Sequence, residues 1–109
     1  MNKYFNKKTE VFGIVFDSKA ESIRYCELRM LEQVREISGL KLQPRFDFFL
    51  PVNNKPKKMF SYYADFEYID KEGNYVVEDV KSEITAKNST YRLKKKIVEA
   101  AHSITITEV

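Results

Sequence analysis

The sequence is poor in the residues that build disulfides, zinc sites and histidine-centred sites. It has one cysteine, Cys26, and one histidine, His102, among 109 residues. A disulfide within the chain is therefore excluded, and sites that need several Cys or His ligands are disfavoured. We interpret Cys26 as a small apolar side chain at the edge of a helix stripe. His102 is expected at the surface near a helix C-terminus, where a cation is mildly favoured.

Long apolar runs are missing as well. No stretch approaches the ~20 apolar residues that a membrane-spanning helix needs, and the polar start MNKYFNKKTE lacks the apolar region of a signal peptide. We therefore expect a cytoplasmic protein in a reducing compartment, without membrane contact. The 19 Lys and Arg against 16 Asp and Glu give a net charge of +3. This charge permits a polyanionic partner and is equally typical of a solvated surface.

What is present fits one domain. With 43% hydrophobic residues, eight of them Phe and seven Tyr, the chain can fill a single modest core. We predict a basic flexible arm over residues 1–9 and one domain over 10–109. The predicted elements are a hairpin in EVFGIVFD around Gly13, a helix over 18–35, a strand over 40–50, a loop in PVNNKPKK, strands over 59–70 and 75–83, a helix over 89–102 and a strand over 104–109. This order predicts an α/β fold with a mixed central β-sheet flanked by two helices.

Both helices have apolar residues at helical spacing, and the first has an N-terminal signal. Ser18 followed by Glu21 fits the capping box. Gly39 is expected in the turn after the first helix. The residues that we expect on the buried faces are Ala20, Ile23, Met30, Leu31 and Val34 in the first helix and Leu93, Ile97, Ala100 and Ala101 in the second.

The stretch SYYADFEYIDKEGNYVVEDVKSE contains two predicted strands around a turn. Alternation of side chains places Asp79 and Lys81 on one face and Glu78 on the other. A three-residue loop over 71–73, with its glycine at positive φ, would put Asp65 directly opposite Asp79. A four-residue loop would shift the register by one residue and separate the two aspartates.

Two aspartates and a lysine in this arrangement suit phosphodiester hydrolysis. Two carboxylates so close repel each other unless a cation lies between them, and their oxygens prefer Mg²⁺ or Mn²⁺. We predict such an ion between Asp65 and Asp79, bound also by the Val80 carbonyl. The ion would polarise a phosphate and activate water, while Lys81 would orient the water or stabilise the transition state. The alternative is a charged cluster with a salt bridge on an exposed sheet face.

Four motifs carry a resemblance to a known family: FDSKAE at 16–21, LQP at 42–44, YADF at 63–66 and VEDVK at 77–81. Over nearly the whole chain, these motifs resemble those of small phage and prophage proteins of the PD-(D/E)XK nuclease superfamily. They are also similar to the endonuclease subunit of heteromeric bacterial transposases. The resemblance implies a restriction endonuclease-like core whose catalytic residues are Glu21, Asp65, Asp79 and Lys81. It also implies that Glu21 is a metal ligand and that Gln43 lies near the site, while Ala64 stands where the superfamily name expects proline.

The implied function is a metal-dependent DNA endonuclease in a bacterial host cell, acting on junction or branched DNA in phage recombination or packaging. Two alternatives stay open: a non-catalytic nucleic-acid-binding or assembly module, and a nuclease subunit that works only with a partner phage protein. Tyr63 and Tyr91 would either stack on bases or lie in the core. The predicted DNA-contacting residues, of which the helical ones also fit a solvated face, are Lys57, Lys58, Arg92, Lys94 and Lys95.

Several residues have two interpretations that the sequence leaves open. Glu21 is either a metal ligand or only the acid of the capping box. Glu27 either pairs with a lysine or reaches the site. One site cuts one strand, so cutting a duplex calls for a homodimer. Phe46, Phe48 and Phe49 would form its interface, or all three would belong to the core.

Overall fold

In the computed structural model, which describes residues 8–109 apart from the Glu83 side chain, the chain starts with the predicted hairpin. Strands β1 (Thr9–Val11) and β2 (Ile14–Phe16) pair antiparallel. Phe12 and Gly13 connect them, both at positive φ, as a two-residue type I′ turn requires. Residues 1–7 of the predicted basic arm lie outside the described residues. Thr9, the last residue of that predicted arm, begins β1.

The first helix, α1 (Lys19–Gln33), forms where it was predicted, and its cap is confirmed. Ser18 is the N-cap, and its hydroxyl accepts a hydrogen bond from the Glu21 backbone N–H at 3.1 Å. Arg35, with a φ of 65°, follows the helix. The prediction for Gly39 was wrong: it lies within β3 (Ile37–Leu42) at a φ of 67°, where the strand pairing shifts register.

The prediction of the buried face of α1 was also wrong. The three residues of α1 that are buried against the sheet are Ser22, Tyr25 and Leu28. Most of the predicted stripe is exposed, with exposed fractions of 51%, 66% and 66% for Ile23, Met30 and Val34. The buried polar side chains are tolerated because their hydroxyls have local partners. The Ser22 hydroxyl donates to the Lys19 carbonyl, and the Tyr25 hydroxyl accepts from Arg29.

Two predicted long strands are each broken in two. The first is β3 followed by β4 (Arg45–Val52), and the chain breaks at Gln43 and Pro44 because proline has no N–H for a strand ladder. The second is β5 (Lys55–Tyr63) followed by β6 (Phe66–Asp70). The segment PVNNKPKK is not a loop but the tip of a β4–β5 hairpin. It turns at Asn53 and Asn54, both at positive φ.

The centre of the molecule is a four-stranded mixed sheet with the order β3-β6-β7-β8. Its last two strands are β7 (Tyr75–Asp79) and β8 (Ile106–Glu108), both shorter than predicted. They run parallel, and α2 (Glu83–Ala86) and α3 (Ser89–His102) make the crossover that a parallel pair requires. The other pairs are antiparallel. The mixed α/β fold is therefore confirmed, with three helices among the described residues instead of the two predicted.

A hydrophobic core lies on each face of this sheet, because the adjacent residues Val76 and Val77 contact different clusters. The α1 cluster consists of Phe16, Tyr25, Leu28, Ile37, Phe66 and Tyr68. The α3 cluster consists of Phe46, Tyr62, Ala64, Val77, Val98 and Ile106. The chain crosses between the clusters at the break after Ala64. Alternation along the predicted strand over 59–70 implies that Tyr62, Ala64 and Phe66 share one face, and this prediction was wrong.

The α3 side corrects two further expectations. The fully buried residue of α3 is Val98, whereas Leu93 is 59% exposed and Ala100 and Ala101 are exposed. Of the three phenylalanines considered for a dimer interface, Phe46 is buried in the α3 cluster. Phe48 packs on Phe60 with ring centroids 5.5 Å apart, and Phe49 is 50% exposed. The homodimer remains a prediction, but Phe46 is not available for its surface.

Candidate active site

The turn between β6 and β7 sets the register that was predicted. The Asp70 N–H donates to the Asn74 carbonyl at 2.9 Å, which closes a three-residue loop over 71–73. Gly73 has a φ of 88°, so the predicted left-handed glycine is confirmed. Phe66 pairs with Glu78, and this register, continued by one residue, places Asp65 opposite Asp79.

Asp65 lies at the break before β6 and is held against the end of β7. Its carboxylate Oδ2 accepts a hydrogen bond from the Val80 N–H at 2.6 Å, and its own N–H donates to the Glu78 carbonyl. Burial raises the pKa of Asp65, and the nearby Asp79 carboxylate raises it further. The Val80 contact that the structure contains is thus made by its N–H, and metal binding by its carbonyl remains a prediction.

Asp79 is completely buried, and its two carboxylate oxygens have different environments. Oδ2 accepts hydrogen bonds from the hydroxyls of Tyr62 and Tyr91. Oδ1 is buried and has no hydrogen-bond partner within the described part of the chain. A buried carboxylate oxygen without a partner is costly, and such an atom calls for an explanation such as an ion or water.

Lys81 lies on the same side as Asp79, as predicted. Its ammonium is 5.6 Å from the ring centroid of Tyr91, whose hydroxyl lies 3.2 Å from Asp79 Oδ2. The charge of Lys81 lowers the pKa values of Glu21 and Asp65 in opposition to their burial. Lys81 therefore adds a positive charge near both carboxylates, and it lines one cleft together with Glu21.

Glu21 enters the site from the first turn of α1. It lines a cleft of about 250 Å³ with Asp65 and Gln43, and a second cleft of about 260 Å³ with Lys81 and Val80. Burial raises the pKa of Glu21 to about 7, and the charge of Asp65 adds to the rise. The Ser18 hydroxyl accepts from the Glu21 backbone N–H, which is the Ser18 half of the capping box, and Glu21 lines both clefts.

Gln43, predicted near the site by resemblance alone, lies in the same cleft as Glu21 and Asp65. Its N–H donates to the Asp65 carbonyl at 3.0 Å, and the Ala64 N–H donates to the Pro44 carbonyl at 3.1 Å. The two strand breaks are therefore bonded to each other. Gln43 has a φ of 51°, a conformation that costs a non-glycine residue energy and occurs often at functional sites.

The carboxylates of the site could bind a hard divalent cation only in an open site, in which water and substrate supply the other ligands. Among the residues that the structure describes, no three His, Cys, Asp or Glu side chains lie close enough together to enclose a metal ion. The observation in favour of a cation is the buried Asp79 Oδ1, which has no partner among the described residues and has Asp65 placed opposite by the strand register. Mg²⁺ fits this arrangement because it keeps several waters and binds through one or two carboxylates together with substrate phosphates.

The sequence prediction missed the tyrosines that surround Asp79. Tyr91 was considered only as a base-stacking or core residue, and its hydroxyl also lies 2.9 Å from Glu108. Lys95 donates to the same Glu108 carboxylate at 3.1 Å. No spacing rule marks such contacts, because α3 and β8 are brought to Asp79 by the crossover connection.

The predicted DNA-contacting residues lie on two elements, β5 and α3. Lys95 is only 19% exposed and is paired with Glu108, and its contact with DNA remains a prediction. The Lys94 ammonium lies 5.3 Å from the ring centroid of Phe60. Arg92 is exposed on α3, whereas Lys57 and Lys58 are exposed on β5. Tyr63 is 54% exposed, also on β5, so it does not lie in the core.

Glu78, which was expected to point away from Asp79, forms a separate buried network. Arg24 donates to both of its carboxylate oxygens, at 2.8 and 2.7 Å, and the Tyr68 hydroxyl donates at 2.5 Å. Glu27 is exposed and pairs with the same Arg24 at 3.0 Å. Glu27 thus neither pairs with a lysine nor reaches the site.

Comparisons with known proteins add a family but no activity. A family model described as "Protein of unknown function (DUF1064)" matches residues 1–107. Searches of curated proteins and of solved structures found no significant match. Within the described ranges, none of the helices is both long and apolar enough to cross a membrane.

Proposed function

Because the chain belongs to the family of proteins of unknown function called DUF1064, we propose its activity from the site itself: it is a metal-dependent DNA endonuclease. The single observation that carries the proposal is the buried Asp79 Oδ1, which has no partner among the described residues. The proposal includes a restriction endonuclease-like arrangement of the mixed sheet. It also includes junction or branched DNA as the substrate form.

The ion would be held by Asp79 through Oδ1 and by Asp65. Glu21 lines one cleft with Asp65 and a second cleft with Val80 and Lys81. When bound, a Mg²⁺ or Mn²⁺ ion supplies charge neutralisation at the phosphate and a water of lowered pKa. Tyr62 and Tyr91 fix Asp79 through Oδ2, so Oδ1 would remain to bind the ion. Such support by outer hydrogen bonds is usual for metal ligands.

Lys81 and Glu21 supply the proton and charge chemistry of the chain itself. The ammonium of Lys81 lies beside the ring of Tyr91, and it would stabilise negative charge that develops on the phosphate oxygens. Burial raises the pKa of the Glu21 carboxyl to about 7, so in the metal-free protein it exchanges a proton near neutral pH. Both side chains border the cleft that also contains Val80 and Ser82.

The test is cleavage of labelled DNA by wild type and Lys81→Ala, with Mg²⁺, Mn²⁺ or EDTA. The substrates are linear duplex, single-stranded, flap and four-way junction DNA. We expect metal-dependent cleavage that falls about 10²–10³-fold in the variant, the usual cost of losing one transition-state donor. Binding in EDTA should change by only a few fold. Lys71→Ala, in the turn far from Asp79, is the charge-matched control.

Unchanged cleavage by Lys81→Ala would remove Lys81 from the mechanism. A wild type that binds DNA but cuts none of the four substrates favours the alternative, a non-catalytic binding or assembly module. That alternative has one observation in its favour, since the described residues contain no enclosed three-ligand metal group. If a partner phage protein restores cutting, the chain is a nuclease subunit.

A further inference from the structure

The outer half of the β4–β5 hairpin projects from the molecule as a two-stranded ribbon. We call residues 48–60 the β4–β5 arm. From 49 to 59 every residue of the arm is exposed, and β4 and β5 pair with each other and with no other described strand. At its base, Phe48 packs on Phe60. An isolated ribbon of this kind is only marginally stable by itself, so its exposed surface calls for a function.

The charge of the arm, +3, equals the net charge of the whole chain. It contains three lysines and no acid, whereas the rest of the sequence has 16 basic and 16 acidic residues. Lys57 is paired across the ribbon with Leu50, and Lys55 with Val52. The lysine stems can therefore lie along apolar neighbours with their ammonium groups in solvent. No carboxylate of the arm competes for these charges.

The edges of the arm are protected against addition of a further strand. Pro51 and Pro56 lie opposite each other near the tip. Proline cannot donate to a strand ladder, and lysines and prolines are typical of edges that avoid pairing. A partner must therefore be held through side chains, and three ammonium groups without acids fit a polyanion.

We infer that the β4–β5 arm lies along duplex DNA beside the cleavage site, with Lys55, Lys57 and Lys58 on phosphates. This inference rests on the proposed nuclease function. Strand β5 connects the arm to the site, since Tyr62, two residues beyond the end of the arm, donates a hydrogen bond to Asp79. Lys57 lies five residues before Tyr62 on β5. At the usual strand rise, the two residues are roughly 17 Å apart. A major groove ≈ 12 Å wide admits a two-stranded ribbon, so the arm reaches phosphates about half a helical turn from the cut.

The test measures duplex affinity in EDTA at several salt concentrations for wild type and Lys57→Gln/Lys58→Gln. The control Arg35→Gln/Lys71→Gln removes the same charge at exposed positions away from the arm. Each lost phosphate contact makes the slope of log K against log salt shallower by about 0.9. We expect a slope shallower by about 1.8 for the arm variant and an unchanged slope for the control.

Equal slopes in the two double variants would overturn the arm inference, whatever the cleavage result. Arm-dependent binding together with no cleavage by the wild type would keep the arm and overturn the proposed nuclease. Loss of self-association without a change in slope would show that the arm binds a second copy, and would overturn the inference. If the arm variant loses more affinity for phosphatidylserine vesicles than for duplex DNA, the arm binds a membrane surface. That result would also overturn the inference.

Discussion

Glu78 and Asp79 are neighbours on β7, both with exposed fractions of 2% or less, yet their carboxylates are in opposite situations. On the α1 side, Arg24 bonds both oxygens of Glu78 and Tyr68 adds a further bond. On the α3 side, Tyr62 and Tyr91 share one oxygen of Asp79, and the other has no partner among the described residues. Burial alone therefore does not distinguish a structural acid from a functional one.

The difference between the two acids lies in how completely their oxygens are bonded. A buried ion pair with excellent geometry and further hydrogen bonds can offset the cost of desolvation, as at Glu78. At Asp79 the hydroxyls supply no formal charge, and Tyr91 has one hydrogen to share between Asp79 and Glu108. Asp79 thus has an oxygen that a cation can still bind.

The largest expected effect is the loss of the Glu78 partner. Arg24→Ala leaves a buried carboxylate without its cation, and breaking a buried pair costs about 3–5 kcal/mol of unfolding free energy. Urea unfolding followed by circular dichroism measures it. Glu27→Gln removes the exposed partner of the same arginine and should cost no more than about 1 kcal/mol. Equal costs for the two variants would contradict the account of the Glu78 network.

A smaller effect is expected at the hydrogen bond that holds Asp79. Tyr62→Phe removes a buried donor to a carboxylate, and bonds to charged groups contribute about 1.5–3 kcal/mol. Tyr75→Phe is the matched control, because its hydroxyl bonds Glu67 at the surface. Chemical unfolding measures the loss of unfolding free energy in both variants. A cost at Tyr62 no greater than that at Tyr75 would mean that Asp79 is not held as described.

The smallest expected effect is the pH dependence from Glu21. Burial raises the pKa of Glu21 from 4.5 to about 7, so the folded state holds more protons than the unfolded state in that window. The stability of the metal-free protein therefore falls as pH rises from about 4.5 to 7. Since the carboxyl is about half exposed, the effect is discounted to about 1 kcal/mol, or roughly 4 °C in Tm.

Thermal unfolding across pH 4.5–7.5 in EDTA tests this expectation. Glu21→Gln should remove the extra loss of Tm at high pH, because its amide does not titrate. Glu72→Gln, at an exposed position in the β6–β7 turn, should leave the profile of the wild type unchanged. Parallel profiles for wild type and Glu21→Gln would place the Glu21 carboxyl in solvent instead of in the clefts.

Local turn and cap chemistry made the Asp65–Asp79 part of the site predictable. A glycine at the third loop position fixes the loop length, and the loop length fixes which residues face each other. The Ser18 cap likewise placed Glu21 in the first turn of α1. These features depend on a few neighbouring residues, so the sequence contains the information.

The faces of the helices and the crossing between cores were not predictable in the same way. A stripe with Ile23 and Met30 is as helical in spacing as one with Tyr25 and Leu28, and long-range packing decides between them. The break after Ala64 moves the chain from one core to the other without a local signal. The tyrosines around Asp79 could not be found without that crossing.

The most direct measurement of the central claim is calorimetric titration of Mn²⁺ into three proteins. They are the wild type, Asp79→Asn, and Arg24→Leu/Glu78→Gln, in which the amide keeps an acceptor for Tyr68. Circular dichroism first establishes that each is folded. We predict that wild type and the double variant bind Mn²⁺ alike, while binding by Asp79→Asn is lost or weakened more than about tenfold. Equal binding by all three proteins would contradict the claim that Asp79 holds the metal.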